Sequence, residues 1–135
     1  MSEARPKNSR HKSPISIWLS EARKVGVDID TSSPQFYPLA SRMIKLLKDK
    51  FLLSDSDLRC LFAWSWRVLA PWLKEQGYPL SHPRQLFAHM DNYRTWVEAR
   101  KTALQTHTVE ELVAQLEEAD PTELARMRKM LSWKR

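Results

Sequence analysis

The residues best equipped for chemistry are cations set among aromatic rings. Arg59, Trp64, Trp66, Arg67, Trp72 and Lys74 fall in one stretch, and Arg94, Trp96, Arg100 and Lys101 in another. Aromatic faces stack on unpaired bases at roughly 1–3 kcal/mol each, while Lys and Arg neutralise phosphates. The pattern therefore predicts a non-catalytic face for nucleic acid, DNA or RNA. The candidate residues are Arg59, Trp66, Arg67, Lys74, Arg94, Trp96, Arg100 and Lys101. A tryptophan at helical spacing is more often core than contact surface, so Trp72, which shares an arc with leucines, is assigned to the core. Trp66 and Trp96 each border an arginine and are expected to be partly exposed. Trp96 and Arg100 are four apart, a spacing that can stack cation on ring.

Other chemistries find little support. The four histidines (His11, His82, His89 and His107) are scattered, and Cys60 has no Cys or His at ligand spacing, so no metal is expected. Two isolated glycines cannot build a phosphate-cradling loop, so no nucleotide cofactor is expected either. Asp55 with Asp57, and Glu110 with Glu111, are explained as acids at helix starts. An enzyme is not expected.

These residues need helices to hold them. Ser13-Pro14 is a cap followed by a first-turn proline, with Ile15, Trp18, Leu19, Ala22 and Val25 at helical spacing and Gly26 as a stop. Ser33-Pro34 repeats that start signal before a wide stripe of Phe36, Leu39, Ala40, Met43, Ile44, Leu46, Leu47 and Phe51. Ser54 caps the next helix. Its core arc is Leu58, Leu61, Phe62, Ser65, Leu69, Trp72 and Leu73, and its back carries Arg59, Ala63, Arg67, Ala70 and Lys74. Pro71 must kink that helix or restart it near Ala70. Ser81 caps a helix expected from Pro83 to about 103, with Leu86, Met90, Tyr93, Val97 and Leu104 inward. Capping boxes at Thr108 and Asp120 open a C-terminal hairpin. A helix-turn-helix can also be drawn, from 43–51 through a turn at 52–54 into 55–66, with Ser56 and Arg59 at the reading end.

The expected fold is all-α, a compact bundle of about five to six helices with a flexible basic N-terminal arm. Residues 1–12 form the arm, 13–105 the core domain, and 106–135 a hairpin that packs on the core or serves association. The chain has 135 residues and a net charge of +6, unevenly placed. Residues 1–101 hold 17 bases and 10 acids, 102–125 six acids and no base, and the last ten residues five bases and no acid. The excess favours an anionic partner. The alternative is a protein–protein adaptor, inhibitor or assembly subunit. It would use a Trp-rich surface and the charge-segregated hairpin, with a protein partner or a second copy engaged through 107–135. A lone cysteine fits a reducing compartment, most simply the cytoplasm, and no apolar run is long enough for a membrane span.

Overall fold

The computed structural model describes residues 13–104 and 108–131, with only the backbone described for 101–104. The expected arm at 1–12, the side chain of Lys101 and the inward placement of Leu104 lie outside the described residues. In chain order the elements are α1 (Pro14–Lys24), α2 (Phe36–Phe51), α3 (Asp55–Trp64), a π-helical turn (Ser65–Leu69) and α4 (Ala70–Glu75). A 3₁₀ segment (Pro83–His89), α5 (Met90–Leu104), α6 (Val109–Glu118) and α7 (Pro121–Arg128) complete the order. The architecture is the all-α bundle that the periodicity predicts. Among the described residues no helix is long and apolar enough to cross a membrane.

The ends of the helices follow from local chemistry. Ser13 Oγ accepts from the Ser16 N–H at 3.3 Å, and Pro14 spends no N–H in the first turn. Gly26 takes φ +84° past the end of α1, and the Val27 N–H returns to the Ala22 carbonyl at 2.9 Å. Ser54 and Asp57 close a reciprocal capping box on α3, at 3.1 and 3.0 Å. Asp120 and Glu123 do the same for α7.

Two starts differ from expectation. α2 begins at Phe36, not beside Pro34. From Phe36 the missing N–H of Pro38 falls in the first turn, where no intrahelical partner exists; a start at Pro34 would put it deeper. The segment after Ser81 is capped by His82, whose Nδ1 accepts from the Arg84 N–H at 3.1 Å. The Ser81 N–H is instead held by Gln85 Oε1 at 2.8 Å. That segment runs as 3₁₀ to His89 before widening to α.

Pro71 acts through the turn before it. It has no N–H to give and would crowd the carbonyl one turn back. The chain widens instead, and the Ala70 N–H reaches five residues back to Ser65. Such a π turn holds an extra residue without breaking the helix. Ser65 is fully buried there, its hydroxyl donating to the Phe62 carbonyl at 2.9 Å.

The core is built on this long helix. Every residue from Leu61 to Leu69 is buried. α1 and α6 both pack on α3, and α7 packs on the π turn. α6 contributes Leu112, Val113 and Leu116 to the interior, and α7 contributes Met127. Trp18 meets Phe62 edge-on at 5.5 Å, and Trp64 meets Tyr93 likewise at 5.4 Å.

Candidate nucleic-acid interface

The structure overturns the exposure expected of the tryptophans. Trp66 is 2% exposed and Trp96 1%, so neither ring offers a face to a ligand. The Trp66 indole donates to the Trp18 carbonyl at 3.1 Å. Trp96 stacks on Tyr93 at 6.2 Å. Trp72, assigned to the core, is only half-buried and packs edge-on against His89 at 5.9 Å. The inner indoles satisfy packing first: the buried N–H groups of Trp18, Trp64 and Trp96 have no hydrogen-bond partner among the described residues.

The middle of the long helix's cationic back is closed as well. Ala63 is fully buried, and Arg67 is turned inward. Its Nη1 donates to Glu21 Oε1 at 2.7 Å and to the Ala63 carbonyl at 3.3 Å. Glu21 Oε2 accepts from Lys24 at 2.9 Å, Lys24 reaches Glu117 at 3.4 Å, and Arg59 lies 4.0 Å from the same Glu117 oxygen. This chain of alternating charges ties α1, the long helix and α6 together. Arg59 is exposed, but a carboxylate already stands beside it. Arg100 donates to Gln115 Oε1 at 3.1 Å, which fixes α5 to α6.

The helix-turn-helix reading fails on the same packing. Its recognition helix is α3, which packs on α1 and α6 and leaves only Asp55, Ser56 and Arg59 exposed. Ser56, at the would-be reading end, donates to Glu110 at 2.8 Å. A helix with so short an open face, one residue of which is already bonded to α6, has little to offer a groove.

Two of the eight candidates, Lys74 and Arg94, remain exposed with no carboxylate at salt-bridge distance among the described residues. Only Arg94 has aromatic company. Its guanidinium lies 4.8 Å from the centre of the Phe51 ring, and its Nη2 donates to the Phe51 carbonyl at 3.5 Å. Lys50, not among the candidates, places its ammonium 5.5 Å from the Phe51 ring and 6.0 Å from that of Phe87. The two phenyl rings are 6.3 Å apart and half-buried against the core. Lys50 likewise has no carboxylate partner among the described residues, while its neighbour Lys48 is paired with Asp55 at 2.7 Å. Cations interleaved with aromatics therefore do occur on the surface, at the end of α2 rather than on the long helix. Comparison with known families, curated proteins and solved structures finds no match.

This cluster is hard to see in the sequence for a definite reason. Phe51 falls in the apolar stripe of α2, where helical spacing marks it as core. Arg94 meets Phe51 across 43 residues of chain. The adjacent pair Lys50-Phe51 was the one local signal available.

Leucines of α2 show a further departure. Phe36, Ala40, Ile44 and Leu47 form its buried face, whereas Leu39 and Leu46 of the expected stripe are 44% and 48% exposed.

Proposed function

We propose that the protein is a non-catalytic nucleic-acid-binding accessory or regulatory protein of the cytoplasm, holding DNA or RNA on the face formed by Lys50, Phe51, Phe87 and Arg94. The observation that carries this reading is the pairing of two exposed cations with two phenyl rings, with no carboxylate at salt-bridge distance among the described residues. A guanidinium held over a ring and anchored to a backbone carbonyl needs little ordering to receive a phosphate. The net charge of +6 supplies long-range attraction to a polyanion. The four bases of residues 1–12 would add a tether.

The test is fluorescence anisotropy with labelled mixed-sequence DNA and RNA, across a series of salt concentrations. Binding is expected to weaken linearly in log–log form as salt rises, because phosphate contacts release counterions. Lys50→Glu/Arg94→Glu is expected to weaken binding and lessen the salt slope at unchanged helicity. Salt-insensitive binding, or none to either nucleic acid, would overturn the reading.

A protein-partner reading has one observation in its favour. Leu39, Met43 and Leu46 share a flank of α2 that is incompletely covered. The hairpin at 109–128 spends its apolar side on the core, so this flank is the better candidate for association. A monomer by light scattering at high concentration would count against self-association there.

A further inference from the structure

The end of α2 carries a side chain that its backbone does not favour. Leu52 follows the helix with φ 55° and ψ 50°, in the left-handed region, and its N–H returns to the Lys48 carbonyl. Leu52 alone among the described non-glycine residues has positive φ. The chain's two glycines occupy the matching positions after α1 and α4, with φ +84° and +88°. A glycine or asparagine would suit the end of α2 equally well. Leucine stands there instead, and it is 88% exposed, the most exposed of the large apolar side chains described. Neither the turn nor the core accounts for it.

What surrounds it gives the reason. Leu52 is next to Phe51, whose carbonyl accepts from Arg94 and whose ring lies beside Lys50. An exposed apolar side chain thus directly follows a ring that holds two cations, neither with a carboxylate at salt-bridge distance among the described residues. It is a protrusion and not a groove, so it enters its ligand and receives nothing. The ligand must offer a slot between flat apolar faces with negative charge along its edge. A nucleic-acid strand does so, with stacked bases and flanking phosphates.

We infer that Leu52 is an apolar wedge that inserts between unpaired bases of a strand whose phosphates are held by Lys50 and Arg94. This inference rests on the nucleic-acid reading above. Single strands are the ligand class, because their bases separate at less cost than those of a duplex.

The experiment uses the full chain and a labelled single strand of roughly 20 nucleotides, long enough for one site. The strand carries a base analogue whose emission rises on unstacking. Wild type is expected to raise that emission. Leu52→Asn and Leu52→Gly keep the left-handed turn, so folding is preserved and checked by circular dichroism. They are expected to lose the emission rise and to bind the strand roughly tenfold more weakly, as for one lost stacking contact, with the salt slope unchanged. If both variants match wild type in affinity and emission while Lys50→Glu/Arg94→Glu still weakens binding, the wedge is refuted and the nucleic-acid reading stands. If wild type binds no single strand the wedge is refuted, and if it binds no duplex either the nucleic-acid reading falls with it.

Discussion

Arg67 donates to Glu21 at 2.7 Å with both side chains nearly out of solvent, 9% and 3% exposed. Burial alone would push the Glu21 carboxyl up. The hydrogen bonds and charges of Lys24 and Arg67 outweigh that effect and hold it below its ordinary value of 4.5. Removing one partner leaves the other charged and buried. Glu21→Ala is expected to cost about 3–5 kcal/mol in urea denaturation, and Glu21→Leu/Arg67→Met to recover most of it.

The same pair sets an acid limit. A carboxyl with a lowered folded-state pKa contributes stability that is complete above the unfolded value, near 4.5, and is lost as pH falls through the folded value. Stability of the wild type is expected to decline below that pH. The glutamate-free double variant should lose less over the same range, measured by urea midpoints from pH 6 downward.

The histidines act at milder pH. Burial holds His89 below its ordinary value of 6.5, and burial with the Arg84 charge does so for His82. Both bind protons more readily in the unfolded chain, so stability falls as pH drops below 6.5. Protonating His82 at Nδ1 would also remove the acceptor that caps the 3₁₀ segment. His82→Asn keeps a capping side chain without the titration. It is expected to flatten part of the fall in melting temperature between pH 7.5 and 5.5.

Leu52 makes a stability prediction independent of any ligand. Its side chain is almost fully exposed, so truncation sacrifices no burial. Leu52→Gly relieves the left-handed backbone and is expected to stabilise the fold by up to about 1 kcal/mol. A drop in melting temperature would mean that this side chain has a packing role.

The hairpin belongs to the core. Leu116→Ala is expected to cost about 2–5 kcal/mol, because its side chain is 1% exposed. Leu39→Ala, at a half-open position of α2, should lie within roughly 0.5 kcal/mol of wild type. Equal effects in chemical denaturation would contradict this placement of α6.

How much of this was legible follows from the physics of each signal. Caps and stops are local, and Ser13, Ser54, Asp120, Gly26 and Gly77 carry them in the sequence. The restart at Ala70, just before Pro71, was legible for the same reason. Exposure is not local. A wheel drawn at constant pitch through 58–74 places Arg67 on an open back, but the π turn adds a residue and α1 supplies Glu21, 46 positions away, to receive it. Trp66 and Trp96 were misjudged alike, since bordering an arginine says nothing about which helix lies over the ring. The Arg94–Phe51 contact needed the bundle to exist before it could be seen.

The clasp of α6 on α3 also bears on how the chain is made. Ser56 and Glu110 are 54 residues apart in sequence and bonded in the fold. At ordinary synthesis rates the ribosome takes roughly 3–10 s to travel that distance. For that interval the side of α3 that carries Ser56 and Arg59 has no α6 to meet it, and the interior lacks Leu112, Val113 and Leu116.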